Sequence, residues 1–195
     1  PHEGQVWDQT ILDRIKDEAS KNTKVVAVGE IGLDYYYNNS SHEDQLRAFR
    51  AQMELAQELK LPVEIHTRDA EQDTKEILKS FKGKVRGLLH CFTGTLDLAK
   101  SALDCGFDIS ISGVVTFKKA EDLRSTVSQI PLDRIHVETD APFLAPMPHR
   151  GKENQPAFVR FTAEKVAELQ GVELSVLAEK TKANALDLFP RLTLS

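Results

Sequence analysis

Along the 195-residue chain, short apolar runs alternate with longer amphipathic segments from one end to the other. The runs cover residues 25–28, 61–65, 85–89, 107–111 and 135–137 and are rich in Val, Ile and Leu, as expected for parallel strands covered on both faces. Between the first two, Leu46, Phe49, Met53, Ala56 and Leu59 recur at helical spacing, behind Ser41 as an N-cap and with Asp44 in the first turn. Weaker helical patterns cover residues 70–80, 95–104 and 118–128. Pro156 opens another that runs to Gly171, and residues 173–189 form the last before Pro190. The pattern predicts an α/β chain of five strands joined by helical crossovers. It leaves open whether these form a doubly wound sheet or part of a (β/α)8 TIM barrel.

Placement of polar residues separates the two. A dinucleotide-binding sheet calls for a Gly-rich phosphate turn after its first strand, but here the chain reads Val28-Gly29-Glu30-Ile31-Gly32-Leu33-Asp34, with a carboxylate where a glycine belongs. Four of the five strands run directly into a side chain able to bind a metal: Glu30, His66, His90 and Asp140. In a barrel, strand C-termini converge on the face that carries the active site. Two imidazoles and two carboxylates make a mixed set suited to Zn, Mn or a similar divalent ion. A lone His or Glu at a strand end is ordinarily just hydrogen-bonded or solvated; four in phase with the strands are harder to dismiss.

Composition narrows the function further. Hydrophobic residues are 41% and charged residues 28%, an ordinary folding composition. The length suits one domain over residues 1–195. A net charge of −5 excludes coating of nucleic acid by bulk electrostatics, so any such contact must be local. Cys91 and Cys105 suggest neither a disulfide framework nor a metal knuckle, and no long apolar run or signal peptide is present. A cytoplasmic setting without a membrane partner is expected.

The segments Val28 to Tyr36, Pro62 to Ala70, Leu89-His90-Cys91-Phe92-Thr93-Gly94 and Val137-Glu138-Thr139-Asp140-Ala141-Pro142 resemble, in order and spacing, the signatures of TatD-family metal-dependent deoxyribonucleases. Ser110-Ile111-Ser112-Gly113 and the stretch from Pro148 to Pro156 extend the likeness over nearly the whole chain, nearest to the YcfH-like branch. The resemblance implies a (β/α)8 barrel of which about five βα units are present. It implies two divalent ions (Mg, Mn or Zn) bridged by Glu30, with His66 and His90 on one and Asp140 on the other. It also implies cleavage of DNA phosphodiesters, commonly from a 3′ end, with single-stranded DNA or 3′ ends as the partner. Glu30 and Asp140 are the catalytic candidates, Asp140 as proton acceptor. An ester or amide hydrolase on the same scaffold, acting for example on aminoacyl-tRNA, is the alternative.

The family also carries a His-x-His pair at the end of its first strand, and none occurs here. By this likeness Pro1-His2 matches the end of the third strand, so the sequence is expected to be the C-terminal portion of the barrel. One ion per chain, an exposed sheet edge and reduced catalysis would follow, or a non-catalytic fragment that binds DNA or a partner. Arg68 and Arg150 are candidate phosphate ligands, since guanidinium groups grip phosphate oxygens in pairs; solvated or salt-bridged arginines are the bland reading. Glu138 and Asp34 are candidates to support a ligand imidazole or, as readily, to form an ion pair or cap a turn. His42 is expected at a helix terminus, His136 in strand packing and Lys118-Lys119 in solvent. The triplet Tyr35-Tyr36-Tyr37 is read as packing or a loop rim, with base stacking the sharper option.

Overall fold

Side chains alternate between the two faces of a strand, and in this protein the two faces differ in chemistry. The computed structural model describes residues 1–192. Strands β1 (Val28–Asp34), β2 (Val63–Arg68), β3 (Gly87–Leu89), β4 (Phe107–Ile111) and β5 (Ile135–Val137) are parallel and lie side by side in chain order. A doubly wound sheet reverses its strand order at a switch point. This sheet does not, so its topology is that of consecutive barrel strands.

Register places Ile65, Leu89, Ile109 and Ile135 in one row across the sheet. With Ile31, Leu33, Val63, Phe107 and Ile111 they form the apolar face, buried in one core with helical residues such as Phe49, Met53, Ile77, Leu98 and Val166. Burial of each such side chain contributes about 1.5–3 kcal/mol. The alternate positions, including Glu64, His66, His90, Asp108, Ser110, His136 and Glu138, face the other way. Strands covered on both faces were expected, and β3 and β4 are buried along their whole length, but only one face of the sheet is apolar; the other is polar and builds a site.

The helices are α1 (Gln9–Lys21), α2 (His42–Leu59), α3 (Glu71–Ser80), α4 (Leu96–Asp104), α5 (Glu121–Val127), α6 (Val159–Gln170) and α7 (Leu174–Leu188). In α2 the Ser41 hydroxyl accepts the Asp44 N–H at 3.1 Å, and Phe49, Met53 and Ala56 are fully buried. Helix α6 follows a 3-10 turn at Pro156–Phe158 and ends on Gly171 in the left-handed region. The apolar pattern did not predict α1. Its signals are Asp8, which accepts the Ile11 N–H at 2.9 Å, and Ile11, Leu12 and Ile15, which pack with Trp7 on α2 away from the sheet.

Strand β1 lies later in the chain than its apolar run, because Gly29 and Gly32 disguise it. Gly32 has φ 124°, and a Cβ there would sit 2.0 Å from the His66 carbonyl oxygen. The glycine is what lets β1 pair closely with β2, opposing Gly32 to His66 and Asp34 to Arg68. Glu30 and His66 thus belong to the paired strands themselves, rather than to the loops beyond.

Candidate metal centre

Because β1, β2 and β3 are neighbours, Glu30 and His66, within their strands, are brought together with His90, which directly follows β3. A carboxylate oxygen of Glu30 and one nitrogen of each imidazole lie within 4.8 Å of one another. Glu30 Oε1 is 3.1 Å from His66 Nδ1 and 3.7 Å from His90 Nε2. The second nitrogen of each ring is held by a different carboxylate. His66 Nε2 donates to Asp34 Oδ2 at 2.9 Å, and His90 Nδ1 donates to Glu138 Oε1 at 3.2 Å. Each imidazole is therefore turned so that its free nitrogen faces Glu30, the way a supporting carboxylate fixes tautomer and orientation in a metal-ligating histidine. A further close group, His2, Asp34 and His66, shares the His66 ring.

Both supports are themselves fixed. Asp34 is 1% exposed, and its Oδ1 accepts the Tyr36 and Tyr37 N–H groups at 3.0 and 2.8 Å. Burial opposes its ionisation, but the Tyr37 and His66 hydrogen bonds hold its carboxyl below the usual range. Glu138 also accepts the Cys91 N–H at 2.8 Å and the Ser110 hydroxyl. Cys91 and Asp140 both adopt left-handed backbone, with φ 44° and 58°, a conformation uncommon for residues other than glycine.

The charges do not balance without a cation. Five carboxylates, Glu30, Asp34, Glu64, Glu138 and Asp140, surround two imidazoles. Burial pushes Glu64 and Asp140 above the usual carboxylate range, and the surrounding carboxylates push them further. The His66 hydrogen bond holds Glu30 below that range despite burial. A divalent cation is the counter-charge that this donor set fits, two nitrogens and a carboxylate being a common catalytic set.

The sequence matches the family described as TatD related DNase over residues 1–190. The chain belongs to this family. It is 51% identical over 166 residues to the uncharacterized metal-dependent hydrolase YcfH of Escherichia coli K12, covering 85% of this chain and 63% of that protein. It is 37% identical over 195 residues to a protein named 3′-5′ ssDNA/RNA exonuclease TatD from Pantoea vagans, covering 97% and 75% of the two. The crystal structure of the TatD homologue YJJV from E. coli K12 superposes with a TM-score of 0.87 at 28% identity, over 95% of this chain and 72% of that one. The chain thus spans about 63% of the length of its YcfH relatives.

In this TatD-family chain a cavity of about 580 Å³ is lined by Glu30, His66, His90 and Asp140, together with His2, Arg68, Tyr37 and Phe143. Asp140 faces this cavity but stands outside the close group of three. Its loop is pinned by the buried Asn154, whose amide donates to the carbonyls of Thr139 and Phe143 at 2.7 and 2.6 Å. Arg68 lines the cavity, whereas the Arg150 guanidinium lies 3.7 Å over the Phe117 ring and is not among the lining groups. His42 begins α2 and stacks on Tyr35, His136 is buried against Asp108, and Lys118 and Lys119 are exposed. Glu64, 3.6 Å from His90 Nδ1, escaped the sequence reading. Its signal was alternation: it precedes His66 by two residues and so shares its face.

The same electrostatics give a pH-dependent stability in the metal-free TatD-family chain. Burial alone would lower the His90 pKa, but Glu138, Glu30 and Glu64 overcome it and raise it from 6.5 to about 9. Stabilisation by the imidazolium is full below pH 6.5 and is lost as pH rises through about 9. With chelator present, the unfolding free energy from urea titration is expected to fall by about 3 kcal/mol over that window. The fall should vanish in His90→Gln; an equal fall in that variant would contradict the assignment.

Proposed function

We propose that this chain is the metal-binding part of a phosphodiesterase acting on DNA from a 3′ end, with Glu30, His66 and His90 as ligands of a divalent ion. The observation that carries the reading is the close group of two imidazoles and a carboxylate in a cavity that Arg68 also lines. Among the described residues no carboxylate pairs with Arg68, so it is a cation available to a phosphate. The name of the Pantoea relative supports the same substrate class.

A divalent ion bound there supplies Lewis-acid polarisation of a phosphoryl oxygen and acidifies water. The protein's own groups do the rest. Arg68 grips a non-bridging phosphate oxygen, and Asp34 and Glu138 keep the two imidazoles aimed. To Asp140, whose pKa burial has raised, we assign the acceptance of the attacking water's proton and its release to solvent. Mg, Mn and Zn all suit the donor set, and we assign a second ion, where one is bound, to Asp140 and Glu30. With its thiols free and no described helix long and apolar enough to cross a membrane, we place the protein in the cytoplasm.

Arg68→Ala is expected to lower kcat/KM on a single-stranded 3′ end by about 10- to 100-fold, the worth of a charge-assisted hydrogen bond. Activity on a small neutral ester should be spared. Timed digestion of an end-labelled oligonucleotide measures the first and an ester assay the second. An undiminished rate on DNA, or equal loss on both substrates, would remove Arg68 from phosphate binding.

A further inference from the structure

Beyond β1 the chain turns on the Asp34 carboxylate and sends three tyrosines in different directions. Tyr35 packs inward, stacked on His42 with its hydroxyl donating to Asp73 at 2.5 Å. Tyr36 and Tyr37 are 59% and 58% exposed although their backbone is fixed by two hydrogen bonds. At the far edge of the sheet, past β5, Phe143 is 69% exposed. Its backbone too is fixed, its N–H donating to the Asp140 carbonyl at 2.8 Å and its carbonyl accepting from Asn154. Aromatic rings ordinarily gain from burial. Here rigid backbone holds Tyr37 and Phe143 in water at the rim of the cavity that contains the ligand group.

Arg68 completes the rim. Its guanidinium lies 3.8 Å over the Tyr36 ring and 4.8 Å from that of Tyr37. Stacking orients the planar group without consuming its donors. Exposed rings from beyond both edge strands and an oriented cation thus line one cavity with the metal ligands, the groups that a base and its phosphate require. The net charge of −5 adds weight, because a chain that repels nucleic acid at long range must bind it by local contacts.

Resting on the nuclease reading above, we propose that Tyr37 and Phe143 clamp the terminal base of a single-stranded substrate, while Arg68, seated on Tyr36, takes the adjoining phosphate. Stacking on rings tolerates any base, so the clamp selects for an unpaired end and not for sequence. A base within a duplex already has its faces covered by its neighbours and must leave the stack to enter.

The test uses the 195-residue chain and two single-stranded oligonucleotides, one ending in 2-aminopurine at its 3′ terminus and one ending in an abasic residue. Binding is followed by 2-aminopurine quenching and by anisotropy, in chelator so that cleavage does not intervene, and KM is read separately with Mn2+. Tyr37→Ala and Phe143→Ala should each weaken binding and raise KM for the base-bearing end by about 5- to 100-fold. Tyr37→Phe should restore quenching. The abasic end should bind the unsubstituted chain weakly and lose nothing further in either alanine variant. If the oligonucleotides bind but the variants weaken both ends equally, or neither, the clamp is refuted while the nuclease reading stands. If neither oligonucleotide is bound or cleaved by the unsubstituted chain, the nuclease reading fails and the clamp with it.

Discussion

Glu30→Gln is expected to reduce the proposed hydrolysis by roughly 10³-fold or more, since a ligand carboxylate lost from the cluster forfeits several kcal/mol of transition-state stabilisation. The substitution keeps the shape of a side chain that is 42% exposed, so it leaves the apolar core untouched. It also removes one of the crowded carboxylates, which relieves repulsion on Glu64 and Asp140. Circular dichroism and cooperative unfolding should therefore be retained while turnover is lost. Turnover like that of the unsubstituted chain would remove Glu30 from the site; loss of the fold would make it a structural residue.

Asp34→Ala carries the second large effect, because one buried carboxylate serves two structures. Without it the His66 Nε2–H loses its acceptor and the ring its fixed orientation, which should lower divalent-ion affinity by about 10- to 100-fold. The Tyr36 and Tyr37 N–H groups lose their acceptor as well. Each missing bond of this kind costs on the order of 1 kcal/mol, so the chain should also unfold at a lower urea concentration. Asp34→Asn separates the two roles: its amide oxygen can still cap the turn, but its NH2 cannot accept from His66. We expect the Asp34→Asn variant to recover most of the stability and little of the metal affinity. Equal recovery of both would contradict the dual role.

The sheet was legible in the sequence because each apolar run marks one crossing of the core, and in β4 and β5 run and strand coincide. Glu30, His66, His90 and Asp140 were legible by their phase with those runs, and the structure sets all four around one cavity. What was hidden had physical reasons. Gly29 and Gly32 make β1 look like a turn, although close pairing with β2 requires them. Glu64 lies within the second apolar run, where its carboxylate looks like an interruption until alternation assigns it to the face of His66. Helix α1 packs on α2 and not on the sheet, so it fell outside the βα rhythm. Arg150 was grouped with the ligands by nearness in sequence, but the path of its loop carries the guanidinium onto Phe117. Tyr37 and Phe143 belong to loops at opposite ends of the chain's strand order, and only the fold shows that they share a cavity.

The central claim is that Glu30, His66 and His90 together hold a divalent ion. Calorimetric titration of the chelator-stripped chain with Mn2+ or Zn2+ tests it most directly, run beside Glu30→Gln, His66→Ala and His90→Ala. The account predicts about one tightly bound ion per chain, and its loss in each of the three variants, as expected when three ligands form one site. No binding by the unsubstituted chain, or undiminished affinity in any of the variants, would contradict it.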